Sequence, residues 1–291
     1  EILRCLVGSE MCIRDRRTSE TYTATLSSFK RFREDKDLTL DEMDTDMMMA
    51  YEAYLKRSGV SPNSSSFYMR NLRAVYNRAV EKELTTQRYP FKHVYTGVEK
   101  TVKRAVPLKT IKQIKEMDLS MNPTLGFARD MFLFSFYTRG MSFVDMAYLR
   151  KKDLNGNILS YRRRKTGQQL FIKWEMCMQE IVDKYDNPLS QYLLPIIKPL
   201  SEIDERKQYI YTAHNINRSL KVIGNQLGLS VSLTMYVSRH AWASIAKSKN
   251  VPLSVISEGM GHDSEATTRI YLASLDTMAI DKANSMILKS L

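Results

Sequence analysis

An arginine and a histidine stand side by side at Arg239 and His240, a Gly-His pair follows at Gly261 and His262, and a tyrosine comes nine residues later at Tyr271. These residue types suit a phosphate group. A guanidinium can hold its oxygens bidentately, an imidazole can donate or accept a hydrogen bond, and a phenolic oxygen can serve as a covalent nucleophile. Upstream, three consecutive arginines, Arg162, Arg163 and Arg164, run into Lys165-Thr166-Gly167, which reads as the tip of a hairpin and makes a cationic finger. Each signal is weak alone, so the reading depends on the elements that carry these residues.

The chain of 291 residues, 43% hydrophobic, is long enough for two domains of ordinary size with a core in each, which excludes a disordered tail. A net charge of +12, spread along the chain, points either to a polyanionic partner, nucleic acid first, or to a solvated basic surface. No apolar run reaches the roughly 18 residues of a membrane span, so no membrane partner is expected. Cys5, Cys12 and Cys177 are odd in number and fit a reducing cytoplasm, with Cys177 read as a small core residue. His93, His214, His240 and His262 are too scattered for a zinc site, and neither a metal nor a cofactor is called for.

Residues 1–16 fit no pattern that continues downstream and are expected to be a non-native leader. Helical spacing then begins, with Tyr22, Leu26 and Phe29 on one face. A second helix starts near Asp44 to Asp46 and stops at Gly59. After VSPNSSS, read as a turn and cap, a third helix turns Phe67, Leu72, Val75, Tyr76 and Ala79 toward a core. Its Arg70, Arg73 and Asn77 share another face, either a DNA-contacting stripe or a solvated one. The stretch 85–107, with two prolines and little period, reads as an extended basic linker, with 98–107 as the linker proper between a helical domain at 17–97 and a second domain at 108–291.

The second domain opens with the helices LKTIKQIKEMDL and TLGFARDMFLFSFYTRG, then a short helix in SFVDMAYLRKKDL. Ile158 to Arg164 and the returning Leu170 and Ile172 alternate as a hairpin. The chain is helical again from Trp174, with a short stretch QYIY followed by a helix that Asn215 caps and Gly228 ends, His214 lying in the preceding turn. A tail helix places Ile280, Ala283, Ile287 and Leu291 on one side. The expected fold class is mainly α with a small β-hairpin or sheet.

In this order, the junction YTRGMSFVDMAYLRKKDL, the lysine-tipped hairpin, the Arg-His helix and GHDSEATTRIYLASL resemble the catalytic domain of the tyrosine recombinases, the phage-integrase family. Residues 18 to about 97 resemble the helical, SAM-like core-binding domain that precedes it, and the motif wording looks most like integrases from mobile elements of gut anaerobes. The resemblance implies a two-domain clamp on double-stranded DNA, a homotetramer on its recombination sites, accessory DNA-bending proteins, no cofactor, and a place in the bacterial cytoplasm on DNA. It also implies site-specific cleavage and rejoining through a 3′-phosphotyrosine, in integration or excision. Carried over by position, Tyr271 is the nucleophile, Arg239 a phosphate clamp, His262 a hydrogen-bond donor to the phosphate and Lys165 the general acid. Arg162 and Arg164 flank the finger as DNA contacts.

Two positions depart from the family pattern. Where the family's first arginine is expected the register gives Ser142, so either Arg139, three residues before it, or Arg163, two residues before Lys165, supplies the cation. The family's His-x-x-Arg reads Tyr236-Val-Ser-Arg239, and a phenol of ordinary pKa about 10 is a poor base at neutral pH. The competing readings are a non-catalytic DNA-binding regulator and a topoisomerase-like enzyme with the same covalent chemistry. The tail helix docks either on a neighbouring protomer or on its own domain.

Overall fold

The computed structural model describes residues 16–99, 105–199, 201–272 and 285–288. Most of the expected leader with Cys5 and Cys12, the middle of the 98–107 linker, and Ile280, Ala283 and Leu291 of the tail lie outside the described residues. Arg16 already belongs to the first helix, and residues 285–288 are helical. The chain divides into two compact units, Glu1–Thr101 and Val102–Leu291.

The first unit holds α1 (Arg16–Phe32), α2 (Thr45–Arg57) and α3 (Pro62–Glu81). Asp44 caps α2 by accepting from the Met47 N–H at 2.8 Å. Helix α3 starts earlier than its apolar period suggests. Ser61 caps it by accepting from the Ser64 N–H, and Pro62 takes the first helical position, where its missing N–H costs nothing, so SPNSSS is the head of the helix and not a turn. Phe29, Met48, Tyr51, Leu55, Met69, Leu72 and Tyr76 lie in its core, while Tyr22, Leu26 and Phe67 are only half-buried.

Residues 85–99 correct the linker expectation. They have no helix, yet Phe91 and Val94 lie in this same core. The Tyr76 hydroxyl donates to the Thr86 carbonyl at 2.8 Å and accepts from the Arg88 N–H at 3.1 Å, and the Asn63 amide bonds both the N–H and the carbonyl of Glu99. Periodicity reports helices and strands; it is silent about irregular backbone pinned by side chains.

The second unit runs α4 (Leu108–Glu116), α5 (Pro123–Tyr137), α6 (Phe143–Ala147), β1 (Leu154–Asn155), β2 (Ile158–Arg162), β3 (Gln169–Lys173), α7 (Met176–Lys184), α8 (Glu205–Gln226), α9 (Met235–Ser248), α10 (Leu253–Gly259) and α11 (Glu265–Leu272). Helix α5 is the central element, buried through the consecutive Met131, Phe132, Leu133 and Phe134 and packed against α7, α8 and α9. The three strands form one antiparallel sheet in the order β1-β2-β3, with Leu154 opposite Leu159 and Arg162 opposite Gln169. Leu159, Tyr161, Leu170 and Ile172 face the core with period two, which fixes the register. Cys177 is half-buried against the core cluster. The fold is mainly α with one small sheet.

Helix α8 corrects a second expectation. It begins at Glu205, because the Asp204 carboxylate accepts from the Arg206 and Lys207 N–H groups at 3.1 and 3.3 Å. QYIY, His214 and Asn215 are therefore inside the helix, and Asn215 caps nothing. The helix does end before Gly228, at φ +63°. No helix among the described residues is long and apolar enough to cross a membrane.

Tyr76→Phe leaves a part-buried N–H and carbonyl without their hydroxyl partner, which is expected to cost the first unit about 1–3 kcal/mol. Urea unfolding of the full chain, followed by limited proteolysis across residues 85–99, measures the loss.

Candidate active site

Helix α9 carries Arg239 about one turn from its start and buries it to 6% exposure. A buried guanidinium must find acceptors, and here two backbone carbonyls provide them. Nη1 donates to the Gly140 carbonyl and Nη2 to the Met260 carbonyl, each at 2.7 Å. The first carbonyl comes from the turn after α5, where Arg139 and Gly140 both have positive φ, +61° and +74°. Gly140 tolerates no side chain, since an added Cβ would stand 2.8 Å from the Arg239 Cα. The second comes from the residue that follows α10.

The same turn receives a second buried arginine. Arg163, 7% exposed at the start of the β2–β3 connection, donates from Nη1 to the Gly261 carbonyl. The connection is held tight by Arg163 N–H to Gln168 carbonyl and Gly167 N–H to Arg163 carbonyl bonds of 2.8 and 2.7 Å. Gly261, at φ +64°, has the Arg163 Cδ and the Leu170 Cδ1 within 3.1 Å of where a Cβ would be, so the arginine and the turn meet only because this residue is glycine.

His262 follows directly. Its Nε2 lies 3.1 Å from Arg239 Nη2 and its Nδ1 lies 2.7 Å from the hydroxyl of Thr268, which is fully buried. A guanidinium only donates, so Nε2 accepts and Nδ1 carries the proton in this arrangement. Burial, reinforced by the positive charges of Arg239, Arg163 and Lys165, pushes the imidazole down from 6.5 to about 4, so the ring is neutral at pH 7.

The remaining candidates are dispersed around this centre. Lys165 is exposed in the hairpin turn and reaches His262 electrostatically. Arg139 is half-buried with its Cδ beside Gly259, and makes no hydrogen bond or ion pair among the described residues. Ser142, where an arginine was expected, is the N-cap of α6 and donates to the Asp145 carboxylate at 2.6 Å. That carboxylate also accepts from the Arg164 N–H at 2.9 Å, and the Arg164 guanidinium lies 4.0 Å over the Tyr148 ring. Arg162 is exposed on β2. Tyr236 is 60% exposed and packs edge-on against the buried His240 at 4.4 Å. Its phenol sits above the ordinary value, desolvation outweighing the pull of Arg239 and Arg163.

Tyr271 lies in α11, one turn after Thr268, and its side chain is outside the described residues. Its neighbour Leu272 is buried with Ala243, Ile256 and Met260, a small cluster that ties α9, α10 and α11 together. In the first unit Arg70, Arg73 and Asn77 are exposed along α3, and Arg73 Nη1 donates to the Thr96 hydroxyl at 3.1 Å. Sequence reasoning missed Thr268. The only signal for it is its place between the Gly-His pair and Tyr271, since a threonine in a helix carries no mark of its partner. Among the described residues, no cluster of three or more His, Cys, Asp or Glu is placed to hold a metal ion.

A lambda integrase dimer bound to a COC′ core site shares this fold at a TM-score of 0.70 and 14% identity, over 92% of this chain and 74% of the other. A lambda integrase tetramer bound to a Holliday junction does so at 0.69 and 16%, over 93% and 74%. The Tn1549 transposon integrase in complex with transposon right end DNA does so at 0.65 and 13%, over 97% of both chains. No curated protein sequence matches the chain. The fold is thus that of the integrases. Residues 10–94 match the phage integrase SAM-like domain, and residues 131–278, just over half of the chain, match the phage integrase family. The chain belongs to the phage integrase family and is a tyrosine-type site-specific DNA recombinase.

The lowered His262 pKa has a definite sign for stability. The unfolded chain takes up the imidazole proton first, so this contribution is complete above pH 6.5 and is lost as pH falls from 6.5 toward 4. His262→Gln is expected to flatten that part of the stability curve, read from paired thermal melts above and within the window.

Proposed function

We propose that the Tyr271 oxygen attacks a DNA phosphodiester, giving up its proton to water and forming a 3′-phosphotyrosine as the bond to the 5′-oxygen breaks. Lys165 protonates that oxygen, and the freed 5′-hydroxyl later attacks the partner strand's phosphotyrosine, returning its proton to Lys165 as the tyrosine O–P bond breaks and the released phenol regains a proton from water. One phosphoester replaces another at each step, so no cofactor enters. The observation that carries this reading is the convergence of Arg239, Arg163 and His262 on the Met260–His262 turn, directly ahead of the helix that contains Tyr271.

The transition state gathers charge on the non-bridging oxygens, which fixed guanidinium groups stabilise. Arg239 is one clamp. Arg163, in place of Arg139, is the other: it is buried, it bonds the residue before His262 and it acts on the imidazole, whereas Arg139 lies along Gly259. His262 donates to a non-bridging oxygen. Tyr236, a phenol with a raised pKa, orients groups at the site and does not act as the base. Arg162, Arg164, Arg70, Arg73 and Asn77, all exposed, contact the DNA.

Residues 17–97 act as the core-binding domain and 108–291 as the catalytic domain, together clamping duplex DNA. The working form is a homotetramer, as lambda integrase is on a Holliday junction, assisted by DNA-bending proteins in a bacterial cytoplasm. The likeness to a transposon integrase supports integration or excision of a mobile element, and the motif wording alone suggests one of gut anaerobes.

A nicked suicide duplex, selected by binding from a random-sequence library, tests the chemistry. Wild-type chain is expected to trap a covalent adduct and Tyr271→Phe none; absence of the wild-type adduct sinks the reading. Arg163→Ala should slow trapping about a hundredfold or more while sparing DNA binding, and the opposite ranking of Arg163→Ala and Arg139→Ala reverses that assignment. Recombinant product from two labelled duplexes separates strand exchange from relaxation of supercoils.

A further inference from the structure

Thr268 is fully buried in α11, and its hydroxyl is 2.7 Å from Nδ1 of His262, a ring whose other nitrogen faces a group that can only donate. We propose that Thr268 is a positioning residue whose hydroxyl lets His262 exchange tautomers when a DNA phosphate replaces Arg239 as the partner of Nε2. The inference rests on the reading that His262 donates to the scissile phosphate.

The argument is one of donors and acceptors. Opposite the Arg239 guanidinium, Nε2 must accept, so the proton is on Nδ1 and the Thr268 oxygen accepts it. A non-bridging phosphate oxygen only accepts, so there Nε2 must carry the proton. A ring that stayed protonated on Nδ1 as well would be charged, beside Arg239, Arg163 and Lys165, which oppose that charge. The ring can remain neutral only if Nδ1 gives up its proton, and it then needs a donor. A hydroxyl supplies both states by rotating about its C–O bond. One proton leaves Nδ1 to water and one reaches Nε2 from water, so the exchange has no net proton uptake. A carboxylate at this position would only accept and would favour the charged ring; a valine would bond neither state. Thr268 and Tyr271 are one turn apart on the same helix, so the element that carries the nucleophile also sets the proton of the phosphate-binding imidazole.

Full-length Thr268→Val and Thr268→Ser are compared with wild type on the suicide duplex at saturating DNA. The valine variant is expected to bind DNA as wild type does, to melt somewhat lower because a buried hydrogen bond is lost, and to cleave about tenfold more slowly, while serine restores the rate to within about threefold, the span of one hydrogen bond. Valine as fast as wild type, or serine as slow as valine, overturns the proposal, the latter because it marks a packing role. Should the valine variant fail to fold, nitrogen NMR of histidine-labelled Tyr271→Phe decides. The His262 proton is expected on Nδ1 without DNA and on Nε2 with the duplex bound; the same tautomer in both overturns the proposal. A wild-type chain that forms no adduct removes the underlying reading instead, which distinguishes the two failures.

Discussion

Burial of the Arg239 guanidinium is the constraint around which the second unit is arranged. A desolvated cation is tolerated only where oriented acceptors surround it, and those acceptors are carbonyls from two separate turns, at Gly140 and Met260. The demand explains the backbone on either side. The turn after α5 passes through the left-handed region at Arg139 and Gly140 so that its carbonyl points inward, and the absence of a Cβ at Gly140 lets α9 lie against it.

A second buried arginine at the same place makes the electrostatics of the site one-sided. Arg239 and Arg163 hold the carbonyls of consecutive residues, Met260 and Gly261, so two positive groups stand beside His262, with Lys165 close enough to add to them. Burial already disfavours a charged imidazole, like charges brought together inside a fold oppose it further, and the ring stays neutral. This crowding is unfavourable for the protein alone and favourable for a phosphodiester, whose negative oxygens relieve it. The basic balance of the whole chain, +12, acts at longer range in the same direction.

Rigidity comes from modest apolar contacts at the right places. Ala243, Ile256, Met260 and Leu272 lock α9, α10 and α11 into one body, so that Arg239, His262 and the Tyr271-bearing helix share a frame. The hairpin is fixed through Leu159, Tyr161, Leu170 and Ile172 in the main core, with Lys165 exposed at its tip. Sites built on elements held this way keep their geometry better than sites on free loops.

The amino-acid sequence by itself determined the mainly helical character, through apolar periodicity, and the order of the chemistry-bearing residues from the arginine-rich finger to Tyr271. It also marked the glycines that end helices, because those depend on local backbone conformation. Three errors share one cause. The head of α3, the reach of α8 and the packed stretch 85–99 were set by a proline at a helix start, by a carboxylate at Asp204 and by side-chain anchors from distant residues, none of which alters the local period. The same limit applied at the site. Ser142 was legible as a departure, but its capping of α6, the approach of Arg163 to Gly261 across 98 positions, and the bond from Arg239 to Gly140 across 99 exist only after the chain has closed on itself. Residue type and spacing are properties of the chain; which acceptor a buried guanidinium meets is a property of the packed fold, where desolvation makes the choice compulsory.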